Sequence, residues 1–79
     1  MKVDVLFFGA TADAVGSREL ELAASEGTTA KSLVDQLSKD HPALAKHKLL
    51  IAVNEEYAEP DTVLEDGDEL ALFTAVSGG

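Results

Sequence analysis

Val3, Val5 and Phe7 alternate with Asp4, Leu6 and Phe8, a period of two that predicts a first β-strand ending at Gly9. Both faces turn apolar towards its end, which suits an interior strand. The stretch TADAV that follows is long enough for one helical turn, with Gly16 as its natural stop. In SRELELAA, Leu20 and Leu22 alternate with Glu19 and Glu21, predicting a half-exposed second strand antiparallel to the first. The period then changes. Ala30, Leu33, Val34 and Leu37 fall at i, i+3, i+4 and i+7, the single buried stripe of an amphipathic helix. Thr28 or Thr29 is placed to cap its start, Pro42 biases His41 out of the helical region, and PALAKHK adds a further turn.

KLLIAVNEE is nearly all apolar through its first half and predicts a third strand buried on both faces. Pro60 makes YAEPDTVL irregular, and EDGDE marks a tight turn. Leu70 and Leu72 then alternate with Ala71 and Phe73 in the last strand. The order strand, strand, helix, strand, strand predicts an α+β fold, one main helix packed on one face of a small mixed sheet. The two terminal strands are strongly apolar and suit pairing with each other. On this reading residues 1–74 form the domain, and residues 75–79 are a flexible tail ending in Gly78-Gly79.

Composition narrows the function classes. A chain of 79 residues holds one domain, and 46% apolar content in patterned segments supplies its core. The absence of cysteine excludes disulfides, thiolate metal sites and thiol nucleophiles. A net charge of −9 argues against nucleic acid as a direct partner, since binding it relies on Lys and Arg at phosphates. The same charge suits either a basic protein partner or plain solubility. No stretch is long and apolar enough for a bilayer, and MKVDVLFFGA is too short, and broken by Asp4, for a signal peptide. The expected location is the cytoplasm, with no membrane partner.

Few side chains suggest chemistry. Asp66, Asp68 and Glu69 lack the ligand series of a calcium loop and read as a solvated turn. His41 and His47 are separated by a proline and have no third ligand, so no metal site is expected. Ser17, Ser25 and Ser38 have no nucleophile context, and no glycine-rich phosphate loop is present. Neither a bound cofactor nor stand-alone enzymatic activity is expected.

Two features remain. If Val3, Val5 and Phe7 face the helix, Leu6 and Phe8 face away, and by the same parity Phe73 points away too. With the terminal strands side by side, Phe8 and Phe73 share one open sheet face, a partner site unless TADAV or the tail covers it. The second feature is the terminus. Glycine lacks Cβ, so Gly78-Gly79 fits a passage too narrow for other residues. Its carboxylate, with a reference pKa of about 3.3–3.7, is a poor electrophile and reacts only after activation as an acyl phosphate or adenylate.

VLFFGATADAVG, DGDELALF and the closing SGG, in this order and spacing, resemble the small subunit of molybdopterin synthase, the MoaD family, over essentially the whole chain. The resemblance implies the β-grasp fold shared with ubiquitin and the thiamine sulfur carrier ThiS. It implies that Gly79 is adenylated, with ATP and Mg, by an activating enzyme of the ubiquitin-activating type, and then becomes a thiocarboxylate. The tail would enter the large synthase subunit of a heterotetramer and donate sulfur to cyclic pyranopterin monophosphate in molybdenum cofactor biosynthesis. It further implies partner contacts at Phe8, Phe73 and Val76, and at Tyr57. Thr74 and Ala75 stand where the family commonly has two prolines, which raises the ordering cost of the tail. The alternative roles on the same fold are a ubiquitin-like protein modifier and a sulfur carrier for tRNA or thiamine thiolation.

Overall fold

The structure is a computed structural model and describes residues 1–74. Strand β1 (Lys2–Phe7) is followed by a short helix α1 (Ala10–Val15) and strand β2 (Glu19–Ala23). Helix α2 (Ala30–Asp40) leads through a 3-10 turn (Pro42–Lys46) into β3 (Leu49–Val53), β4 (Glu56–Tyr57) and β5 (Glu69–Thr74). The strands form one sheet in the order β2-β1-β5-β3-β4. Only β1 and β5 run parallel, with Val5 opposite Leu70 and Phe7 opposite Leu72, so the sheet is mixed. The two terminal strands are thus neighbours in its interior, as their apolar patterns suggest.

Period two sorts the side chains of these strands. Val3, Val5, Phe7, Leu70 and Leu72 are buried on the face that α2 covers. From α2 the stripe Ala30, Leu33, Val34 and Leu37 meets them, joined by Leu44 and Leu64. Burial of each large aliphatic side chain is worth about 1.5–3 kcal/mol, so this one layer dominates the stability of so small a domain.

Capping fixes where α2 begins. Thr29 is extended, and its Oγ1 accepts a hydrogen bond from the Ser32 N–H at 3.1 Å. Two other N–H groups of the first turn, on Ala30 and Lys31, donate to the carbonyls of Thr62 and Pro60 at 2.8 and 2.9 Å. The irregular segment around Pro60 therefore lies across the start of the helix and satisfies groups no intrahelical partner can reach. α1 ends at Gly16, whose φ of 81° is left-handed and whose N–H returns to the Ala12 carbonyl at 2.8 Å.

Three expectations need correction. The first strand ends at Phe7, because Gly9 adopts φ 59° and ψ −129° and turns the chain into α1. β3 is half-buried throughout rather than buried on both faces. Leu49, Ile51 and Val53 pack against the core, whereas Leu50 and Ala52 lie on the opposite face, which carries no helix among the described residues. Finally the described residues form five strands rather than four: Asn54 and Glu55, with φ of 51° and 69°, reverse the chain so that Glu56 and Tyr57 pair back onto β3.

Candidate functional site

The sheet face turned away from α2 divides into an apolar end and an acidic end. Register places Leu6 opposite Ala71, Leu50 opposite Phe73, Ala52 opposite Ala71, and Tyr57 opposite Ala52. These side chains share one parity and form an apolar patch across four strands. Tyr57 is 80% exposed, and its ring lies against Phe73 with centroids 5.9 Å apart and planes tilted by 54°. The reversal at Asn54-Glu55 is what carries Tyr57 there. β5 runs to Thr74 beside this patch.

Phe8 lies just beyond β1 and is 52% exposed. Its N–H donates to the Leu72 carbonyl at 3.0 Å and to Thr11 Oγ1 at 2.9 Å. Thr11 is the one fully buried polar side chain among the described residues, and its hydroxyl donates towards the carbonyls of Phe8 (2.7 Å) and Leu72 (3.0 Å). That latch ties the start of α1 to β5 and fixes where Phe8 sits. An open groove of about 600 Å³ adjoins it, with Leu6, Gly9, Asp13 and Arg18 among its walls.

The acidic end is a row across three strands: Asp4 lies directly opposite both Glu21 on β2 and Glu69 on β5. Beside it, the carboxylates of the EDGDE turn are tied to backbone groups. Asp66 Oδ1 accepts from the Lys2 N–H at 2.7 Å, and Asp68 Oδ2 accepts from the Glu65 N–H at 2.8 Å. Asn54 closes the arrangement, donating from Nδ2 to Asp68 Oδ1 and accepting the Glu69 N–H, both at 3.0 Å. His41 ends α2, and His47 is exposed after the 3-10 turn. Among the described residues no three His, Asp or Glu side chains converge as metal ligands.

Phe8 is thus exposed just beyond the end of the strand next to that of Phe73, but the direct aromatic contact of Phe73 is with Tyr57. Leu50, Ala52 and Thr11 belong to this region and were not anticipated. Leu50 and Ala52 carry a signal, since a third strand with both parities apolar needs a cover for each face. Thr11 carries none, because its partner Leu72 is 61 positions away. The sites expected at Val76, Gly78 and Gly79 lie outside the described residues. Among the described residues no helix is long and apolar enough to cross a membrane.

Residues 5–79 match the model of the ThiS family. Over the full length of the chain, and 99% of the other, the sequence is 43% identical to the molybdopterin synthase sulfur carrier subunit of Mycobacterium tuberculosis. Among solved structures, SAMP1 of Haloferax volcanii superposes with a TM-score of 0.86 at 29% identity, covering all of both chains. A chain from the complex of subunits 1 and 2 of the molybdopterin-converting factor of Helicobacter pylori superposes with a TM-score of 0.71 at 27% identity, again over both chains in full.

Proposed function

The chain belongs to the ThiS family, and from that membership we infer that it is a sulfur carrier, the small subunit of a molybdopterin synthase. The observation that carries this reading is full-length similarity, at 43% identity, to a relative of that name. A β-grasp domain whose last strand ends beside an open apolar patch suits the role.

Gly79 is the group to be loaded. Its carboxylate oxygen attacks the α-phosphorus of ATP on a ubiquitin-activating-type enzyme, with Mg at the phosphates, and pyrophosphate leaves. Hydrosulfide, HS−, then attacks the acyl carbon of the adenylate, the bond to AMP breaks, and loss of the S–H proton leaves a thiocarboxylate. Sulfur is the better nucleophile, and it is delivered to cyclic pyranopterin monophosphate in the large subunit, with two carriers serving per product. Gly78 keeps the approach slim. Binding the folded domain converts sulfur transfer into a positioned, effectively unimolecular step.

The partner surface in this reading is Phe8, Phe73 and Tyr57, with Val76 inside the large subunit. An apolar patch of this kind suits a protein interface. The net charge of −9 favours a basic partner and speeds encounter with it. The carrier has no catalytic residue of its own and works in the cytoplasm, in a heterotetramer of two small and two large subunits. A second reading, a protein modifier, is favoured by the likeness to SAMP1, a small archaeal modifier protein. Intact mass of the natively isolated protein separates the two. One oxygen-to-sulfur exchange at Gly79 is expected of the carrier; free acid together with lysine-linked conjugates would replace that reading with the modifier.

A further inference from the structure

Both ends of the sheet are edges, and they differ. β4 has only two residues, too few to template another strand, whereas β2 has five. Antiparallel pairing with β1 alternates. Ala24 exchanges N–H and C=O with Met1, and the Arg18 carbonyl accepts the Phe7 N–H, so the even positions of β2 face β1. The opposing positions on β1 agree: Lys2 donates to Asp66 and accepts from Gly67, and Asp4 donates to the Asp68 carbonyl, all away from β2. The N–H and C=O groups of Glu19, Glu21 and Ala23 therefore point outward from the sheet.

At Glu19 this edge is closed by its own chain, since Ser17 Oγ donates to the Glu19 carbonyl at 2.9 Å and faces its N–H at 3.4 Å. Among the described residues Glu21 and Ala23 have no such cover. Directly beside them, between β2 and α2, lies a groove of about 460 Å³ whose walls include Leu22, Leu33 and Leu37, with Gln36 and Asp40 at the helix side. On the other sheet face, Glu21 stands opposite Asp4, which in turn stands opposite Glu69. Like charges directly opposite are unfavourable, and the exposed Lys2–Glu21 pair at 3.6 Å offsets little of this.

We propose that the β2 edge at Glu21 and Ala23 accepts an extended segment of a partner protein as an added strand, with side chains alternating between basic and apolar. Residues facing Glu21 and Ala23 exchange backbone hydrogen bonds with them, and their basic side chains extend the Glu21–Asp4–Glu69 row with the missing positive charge. The residue between them faces Leu22 and sets an apolar side chain into the groove over Leu33 and Leu37. A second copy of this chain fits poorly, because pairing two β2 edges sets Glu21 opposite either Glu21 or Glu19 of the other copy. The site lies at the far edge of the sheet from Tyr57 and does not depend on sulfur transfer.

The test is a nitrogen-15 NMR titration of the full chain with the blocked peptide KVKVK in three forms: unmodified, N-methylated at its lysines, and N-methylated at its valines. Charge and side chains are held constant, while only the lysine nitrogens face the edge. Binding is expected to shift amides from Glu19 to Ala24 and along Ser32, Gln36 and Asp40, and to slow exchange at Glu21 and Ala23. Methylation at lysine weakens binding roughly tenfold or more, and methylation at valine far less. Ala23→Pro, which deletes an edge donor not used by β1, weakens the unmodified peptide comparably. Equal weakening by both methylations, or shifts scattered over Glu55, Glu56 and Glu59, would reduce the contact to charge and overturn the proposal. Concentration-dependent shifts at Glu21 and Ala23 without peptide would overturn it in favour of a second copy.

Discussion

Replacing Thr11 with Val keeps the shape of a fully buried side chain and removes only its hydroxyl. That hydroxyl accepts the Phe8 N–H at 2.9 Å and shares its single proton between the carbonyls of Phe8 and Leu72. None of these groups is orphaned by the change. The Phe8 N–H retains the Leu72 carbonyl at 3.0 Å, and the Phe8 carbonyl retains the Thr11 N–H at 3.3 Å. The loss is therefore the net worth of about two hydrogen bonds, roughly 1–3 kcal/mol, rather than a full desolvation penalty. In a domain of this size each kcal/mol lowers the melting temperature by about 4–8 °C, so a fall of roughly 8–16 °C is expected for about 2 kcal/mol. Urea unfolding followed by circular dichroism, with an unchanged slope, gives the value directly. Thr11→Ser keeps the hydroxyl, loses a methyl, and should fall by about 1 kcal/mol. The reasoning is refuted if Thr11→Val is as stable as the parent while Thr11→Ser is weakened, since the methyl alone would then matter.

Three further changes probe other elements. Glu55→Gly relieves a left-handed φ of 69°, which costs about 1–2 kcal/mol, against about 0.5–1 kcal/mol of added glycine entropy; a net gain of about 0.5 kcal/mol is expected in urea unfolding, and a loss would contradict it. Thr29→Ala removes the α2 cap and should cost about 1 kcal/mol, with faster hydrogen exchange at Ser32; unaltered exchange would show that the cap does not hold the first turn. A double-mutant cycle of Tyr57→Ala and Phe73→Ala should give a coupling of about 0.5 kcal/mol in stability, the lower end of the aromatic range because Tyr57 is largely exposed. Additive losses would mean that the two rings stand side by side without helping each other.

Much of the architecture is written in local periodicity. The alternation at Val3, Val5 and Phe7 and at Leu70 and Leu72, and the helical stripe from Ala30 to Leu37, each specify an element and its buried face without reference to the rest of the chain. β4 is illegible for the opposite reason: Glu56 and Tyr57 have no apolar alternation and pair only because the turn before them returns the chain to β3. Parity places Phe8 and Phe73 on the open face, whereas Tyr57 is reached only through the family resemblance, since its position depends on that turn. The five apolar residues of β3 read as a strand covered twice. Among the described residues one face is instead left uncovered, and this becomes the middle of the patch, because patterning reports which side chains avoid water and not what covers them.

The parallel pairing of β1 with β5 has a kinetic meaning as well. The interior of the sheet joins β1 to β5, so closure of the long loop between Val5 and Leu70 precedes its central contacts. Such topology slows folding, and it forbids folding in instalments during synthesis. A nascent chain interrupted before Glu69 lacks Leu70 and Leu72 and leaves β1 with an unpaired edge, a target for proteolysis rather than a competitor for partners. Folding thus acts as a checkpoint on translation: only chains that have reached β5 acquire a surface that others can recognise.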